Sequence, residues 1–233
     1  MKITICNISY TIKTKNNNNQ SNLLSSLFQI KEKINRTLSF RSGCKSGVCG
    51  SCAVRVNGVE KLACKTTIKE GDIIEPLKYS SVIKDLIIDK KNQKDFLIKT
   101  KAYLEKKKDT LITQDDEKKI DTESNCILCN SCLSACPVYS INEKFLAPYA
   151  LLRNFRYVED AKEDEIQTKL EAIQTNGIWD CTLCGNCNMV CPSIINIKGS
   201  IENLRNKSAQ FGYNNPNMNS GFDTSFGFNP NGF

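Results

Sequence analysis

Two stretches of this chain carry thiols at spacings suited to redox metal chemistry. Cys126–Pro137 reads C-I-L-C-N-S-C-L-S-A-C-P, and Cys181–Pro192 reads C-T-L-C-G-N-C-N-M-V-C-P. Both follow C-x2-C-x2-C-x3-C-P. At that spacing the first three thiolates ligate one iron–sulfur cubane, and the fourth crosses to the cubane of the other run. The rule places Cys126, Cys129, Cys132 and Cys191 on a first 4Fe-4S cluster, and Cys136, Cys181, Cys184 and Cys187 on a second. Pro137 and Pro192 turn the chain out of each run after its crossing cysteine. The competing metal is zinc, in a ribbon of Cys126, Cys129, Cys181 and Cys184; it leaves four regularly spaced cysteines without a role.

A third constellation, Cys44, Cys49, Cys52 and Cys64, has the spacing C-x4-C-x2-C-x11-C. Its first three members match the plant-type 2Fe-2S spacing. The loop between them is rich in glycine and serine, which lets the backbone wrap closely and aim N–H groups at sulfur. Such hydrogen bonds offset negative charge and raise a reduction potential. A zinc knuckle needs no such loop. Cys6 lies outside every motif and reads as a small buried residue of a strand. Trp179, just before the second run, is expected to pack over a cluster or in the core.

Thirteen cysteines and no histidine exclude histidine-ligated haem, Rieske centres and histidine-bound zinc or copper. The usual general base is absent too. The formal charge of +7 counts cysteine as neutral. A cluster on four thiolates carries a net charge of roughly −2 when oxidised, so one 2Fe-2S and two 4Fe-4S clusters bring the holoprotein near neutrality. The basic balance therefore implies no nucleic-acid partner. Disulfide frameworks belong to small secreted domains, and the N-terminus has no secretory layout. No apolar run is long enough to span a bilayer.

These ligands need positioning elements. Alternation over residues 1–13 predicts a hairpin turning near Asn7. Asn16–Gln20 reads as a polar loop, and Leu23–Ile34 as a helix capped by Ser21 or Asn22. Asn57-Gly58 predicts a type I′ hairpin between Ala53–Val56 and Val59–Ala63, with Asp72–Glu75 a last strand. Val82–Asp89 and Asp95–Lys106 have helical period around a polar joint at Lys90–Lys94. Helices are also expected from Pro148, through Ile166–Ile173 to a left-handed stop at Asn176-Gly177, and over Ser200–Lys207. The fold class is α+β: an N-terminal β-grasp two-iron ferredoxin domain (1–80), an all-α ferredoxin-like domain with both four-iron clusters (81–207), and a disordered tail (208–233).

Three clusters in this order resemble the iron–sulfur subunit of succinate dehydrogenases and fumarate reductases. Arg41-Ser42-Gly43-Cys44 and Cys49-Gly50-Ser51-Cys52 resemble that family's two-iron loop. Glu75-Pro76-Leu77 followed by Val82–Leu86 resembles its linker, and Pro148–Tyr157 its helix between the cysteine runs. The resemblance covers about residues 1–207. It implies an electron-transfer subunit without a substrate site of its own, set between an FAD-containing flavoprotein subunit and a quinone-linked membrane partner. It further implies peripheral attachment at the cytoplasmic face, or at the periplasmic face through export with a partner. Two departures stand out. Most members have an apolar or small residue at the position of Cys184, which leaves a three-iron cluster; a thiolate there implies four irons. The family's quinone-site tryptophan and histidine align with Ile141 and Thr182. Both features resemble the branch of thiol- or methylmenaquinol-dependent fumarate reductases and archaeal-type succinate dehydrogenases, in which a cysteine-rich subunit receives the electrons; here a partner chain is expected to supply it. A free-standing multi-cluster carrier is the rival reading.

Overall fold

The computed structural model describes residues 1–13 and 20–216. Most of the expected Asn16–Gln20 loop and the tail from residue 217 onward lie outside the described residues. In the first half, strands β1 (Lys2–Ile5) and β2 (Ile8–Thr11) form the hairpin. The turn falls on Cys6 and Asn7, at φ 48° and 67°. Cys6 is therefore a half-buried turn residue and not a buried strand residue, because a two-residue hairpin turn requires positive φ at both positions. A two-residue strand β3 (Ser21–Asn22) leads into helix α1 (Leu23–Lys33). Asn22 caps α1 by accepting the Ser25 amide at 3.2 Å, and its Nδ2 donates to the Cys64 carbonyl at 2.9 Å. The helix start is thus tied to the fourth cysteine of the two-iron set.

Strands β4 (Ala53–Val56) and β5 (Val59–Leu62) close over Asn57-Gly58 at φ 51° and 81°. Strands β6 (Thr67–Ile68) and β7 (Ile73–Glu75) follow. The main sheet runs β2-β1-β7-β4-β5, with β1 and β7 parallel and the other pairs antiparallel. Ile3, Ile5 and Ile74 on one sheet face meet Leu23, Leu27 and Ile30 of α1, all buried. At about 25 cal/mol per Å2 of apolar surface, each such side chain contributes roughly 1.5–3 kcal/mol.

The second half departs from the sequence reading at its start. Val82–Asp89 is not helical; β8 (Val82–Lys84) and β9 (Ile87–Ile88) form a small hairpin. Asp85 makes the turn at φ 46° and accepts the Ser39 amide at 2.8 Å, and the paired β-branched residues favour extended backbone. Helix α2 (Lys91–Lys99) starts inside the supposed polar joint and stops at Thr100, well short of Lys106. The Thr100 hydroxyl turns back to the Phe96 carbonyl at 2.8 Å. Helix α3 (Gln114–Ser124) begins with a Thr113–Asp116 capping box.

Short helices α4 (Ser131–Ser134) and α5 (Pro137–Ile141) follow the first cysteine run. Helix α6 (Pro148–Val158) buries Leu151, Leu152, Phe155 and Val158. Helix α7 (Ile166–Glu171) continues through turns to Asn176 at φ 52°. Helix α8 (Asn186–Met189) lies within the second run, and α9 (Ile197–Gln210) follows it. The last helix is longer at both ends than Ser200–Lys207, because Asn196 caps it and no left-handed residue interrupts it before Gly212. Phe145, Tyr149, Leu170, Ile173 and Leu204 fill this core.

A buried ion pair pins the irregular segment after α2. Lys169 Nζ lies 2.9 Å from Glu163 Oε2, both side chains fully buried, and donates to the Lys101 carbonyl at 3.0 Å. Burial alone would raise the Glu163 carboxyl. The Glu105 amide, the Lys169 ammonium and the Glu165 and Lys106 amides outweigh it and hold the group below its ordinary value. Removing one partner leaves the other charge buried and unpaired. Lys169→Met should therefore lower unfolding stability by about 3–5 kcal/mol in anaerobic denaturant titrations; an unchanged midpoint would contradict the pair's structural role.

Candidate iron–sulfur centres

The loop from Arg41 to Cys52 has no helix or strand and folds around sulfur. Lys45, Gly47 and Gly50 have φ 58°, 87° and 66°, which curls the backbone inward. The amides of Ser46, Val48 and Cys49 donate to Cys44 Sγ at 3.4, 3.2 and 3.3 Å, and the Cys44 amide donates to Cys49 Sγ at 3.4 Å. The Ser46 hydroxyl, then the Ser46 and Val48 amides, hold the Cys44 thiol down to about 5. The Ser51 hydroxyl chiefly lowers Cys49. Gly43 packs closely on this sulfur, since a Cβ there would lie 2.9 Å from Cys49 Sγ and displace it. The Ala63 amide bonds the Cys52 carbonyl at 3.0 Å, which brings Cys64 beside Cys52. Burial pushes Cys52 up to about 11. The loop therefore favours thiolate at its exposed pair and buries the other pair.

The two later runs repeat one backbone trace. Leu128 and Leu183 sit at φ 51° and 54°, and Asn130 and Gly185 at 70° and 82°. Left-handed leucine costs about 1–2 kcal/mol each. The conformation aims an amide at the first cysteine: Leu183 N–H reaches Cys181 Sγ at 3.4 Å, and the Leu128 amide bonds Cys126 likewise. Helices α4 and α8 then carry the third cysteines, Cys132 and Cys187, into the interior.

The fourth cysteines lie across from their own runs. Cys191 lines one cavity with Cys126, Cys129 and Cys132, walled by Leu152 and Ile197. Cys136 instead neighbours Cys181 and Cys184, and Cys187 neighbours Cys181, Cys184 and Cys136. Burial pushes Cys126 to about 11 and Cys187 to about 12, and the adjacent cysteines push the same way. Thiolates crowded in such surroundings require compensating positive charge. Among the described residues no three cysteine, aspartate or glutamate side chains could share a single ion. Three sets of four cysteines, with no histidine in the chain, form a donor set that fits thiolate-bound clusters.

Two residues that are not ligands join the sites. A Cβ on Gly50 would lie 2.9 Å from both Cys129 Cβ and the Ile127 carbonyl, so the two-iron loop rests directly on the first four-cysteine run. Lys90 reaches toward the Leu128 carbonyl at 3.4 Å. Burial lowers its ammonium, while Cys129 and Cys49 oppose that shift from either side. Elsewhere the halves are pinned by the Ser134 hydroxyl, which donates to the buried Glu60 at 2.7 Å and accepts the Lys78 amide at 2.8 Å. At the far end Cys184 is exposed, as are Ile141 and Thr182. Trp179 is half-buried against the second core; its Nε1 donates to Gln174 at 2.7 Å, and Arg205 lies over its ring.

The class defined by this geometry is an iron–sulfur protein with a two-iron centre resting on a dicluster unit. Residues 6–95 match the family described as a 2Fe-2S iron-sulfur cluster binding domain, and residues 123–195 the 4Fe-4S dicluster domain. The chain is 36% identical over 202 residues to an uncharacterized iron–sulfur protein of Methanococcus maripaludis, covering 82% of this chain and 40% of that one. It is 34% identical over 200 residues to a subunit of the fumarate reductase (CoM/CoB) of Methanothermobacter marburgensis, covering 84% and 40%. The chain thus spans about 40% of the length of these curated relatives. Its fold is similar to a chain of the Mycobacterium smegmatis Sdh1 complex in the apo form, with a TM-score of 0.79 at 20% identity, covering 91% and 97%. Residues 6–95 and 123–195 thus place this chain among iron–sulfur proteins that join a 2Fe-2S domain to a 4Fe-4S dicluster domain.

The Gly50 contact yields a direct test. Gly50→Ala adds a methyl group against Cys129 and a left-handed penalty of about 1–2 kcal/mol. Amide exchange at 127–130 should accelerate and thermal stability fall; wild-type protection there would contradict the close contact.

Proposed function

We propose that this chain relays electrons between an FAD-containing flavoprotein subunit and a quinone-linked membrane or cysteine-rich partner. The observation that carries the reading is the serial placement of three cysteine sets, exposed at Cys44 and Cys49, buried through Cys129 and Cys132, and exposed again at Cys184. The bound clusters would supply single-electron transfer. Cys44, Cys49, Cys52 and Cys64 would hold the 2Fe-2S cluster in the 1–80 domain. Cys126, Cys129, Cys132 and Cys191 would hold the first 4Fe-4S cluster in the 81–207 domain. Cys136, Cys181, Cys184 and Cys187 would hold the last, and the Cys184 thiolate favours four irons over three.

What the residues around the last set do supports a protein acceptor. Ile141 is 89% exposed and Met189 85% exposed, and Cys184 is exposed as well. Ile141 and Thr182 offer a quinone headgroup neither an indole N–H nor an imidazole. Attachment through a partner, at the cytoplasmic face, is the proposed arrangement; no helix among the described residues is long and apolar enough to cross a membrane.

Paramagnetic resonance of the anaerobically purified, oxidised protein tests the cluster type. The wild type should show no three-iron signal, and Cys184→Ile should create one; a full-intensity three-iron signal in the wild type would refute the assignment. Gentle extraction from membranes should recover the chain with a flavoprotein. Recovery of the chain alone would favour a free-standing carrier.

A further inference from the structure

One polar group beside the first four-iron set is left without a partner. Tyr149 lies in the first turn of α6, directly after Pro148. It is 1% exposed, and its hydroxyl is buried without a hydrogen-bond partner. Arg55 Nε and Asn154 Oδ1 share that condition, but their side chains are otherwise engaged, by Glu75 at 3.3 Å and by the Thr100 carbonyl at 2.6 Å. A phenol has a single polar atom, so Tyr149 is wholly unsatisfied, at a cost of about 1–3 kcal/mol. A buried tyrosine with an unused hydroxyl calls for a partner. Phenylalanine would fill the same space without that penalty.

The surroundings name the partner. Tyr149 walls the cavity ringed by Cys126, Cys129, Cys132 and Cys191. Phe96 meets its ring edge-on at 6.5 Å between centroids, and Pro148 fixes the backbone before it, so the hydroxyl is held by packing. A cluster held by the four cysteines would present an electron-rich sulfur surface, which accepts hydrogen bonds and lacks donors. A phenol at neutral pH is a donor.

We propose that the Tyr149 hydroxyl donates a hydrogen bond to the cluster held by Cys126, Cys129, Cys132 and Cys191, at a sulfide or a cysteine sulfur, and raises that cluster's reduction potential. The inference rests on the proposed ligation. A one-electron reduction of a cluster held there would make its sulfurs more negative, and the phenol proton would stay on oxygen. The hydrogen bond therefore stabilises the reduced state more than the oxidised state. Tyr149 is a positioning residue for charge and not a ligand. Tyr149 also lines a cleft with Gln93, Asn130 and Glu143, which makes an ordered water the rival partner.

The test is a redox titration of the complete holoprotein followed by paramagnetic resonance, which reads each cluster separately. Tyr149→Phe should move the midpoint of the first four-iron cluster to lower potential and leave the other two in place. Replacing Tyr149 by a fluorotyrosine, a stronger donor of nearly the same size, should move it upward; a purely structural role would not follow donor strength. In deuterated buffer the reduced wild-type cluster should show an exchangeable deuteron that Tyr149→Phe lacks. An intact cluster with unchanged midpoint in both variants, or a set of exchangeable deuterons undiminished without the hydroxyl (backbone ones such as that of Leu128 remain in either case), would overturn the inference and leave the ligation standing. A wild type with no four-iron cluster at these cysteines would overturn both. If Tyr149→Phe fails to fold, the fluorotyrosine protein alone decides through the same shift.

Discussion

Gathering thiolates away from water is the constraint on which the helical half depends. Cys132, Cys136 and Cys187 are less than a tenth exposed and stand next to other cysteines. Burial and mutual repulsion oppose their ionisation, and iron between the sulfurs would supply the compensating positive charge. In the proposed ligation the crossing of Cys136 and Cys191 would give that iron an architectural role. Each crossing ligand would tie residues 126–137 to residues 181–192 across α6 and α7, whose apolar faces fill the space between. Ligation and core packing in this half would then be one cooperative event.

The two-iron half solves the same problem differently. A sheet and one helix supply an ordinary apolar core, and Cys44 and Cys49 sit at its surface, stabilised by amides and serine hydroxyls. That half has a core independent of metal. The halves then meet where side chains are smallest: Gly50 against Cys129, with Cys129 packed on the first core. Lys90 places positive charge at the same seam. Closeness of centres follows from a missing Cβ, and their electrostatics from one partly buried ammonium.

Much of this was legible in the residues because ligation and tight turns leave strict local signatures. The cysteine spacings, Asn57-Gly58, Pro148 and Asn176-Gly177 each impose a geometry within a few positions. Where local signals were ambiguous the reading failed. Val82–Asp89 has a spacing of apolar residues that suits a helix, yet its β-branched pairs and Asp85 form a hairpin against Ser39, a residue more than forty positions away. Helix α3 buries no residue, so no apolar stripe announced it, although Thr113 and Asp116 spelled its cap. Gly50, Lys90 and Tyr149 matter through contacts between distant segments, which no motif records.

The crossed arrangement of the cysteines is the claim on which the rest turns. Iron anomalous scattering from crystals of the anaerobically prepared protein tests it most directly. Crossed ligation predicts one cubane among Cys126, Cys129, Cys132 and Cys191, another among Cys136, Cys181, Cys184 and Cys187, and a two-iron centre at Cys44, Cys49, Cys52 and Cys64. Cubanes each held within a single run, or isolated metal ions at the paired cysteines, would contradict it.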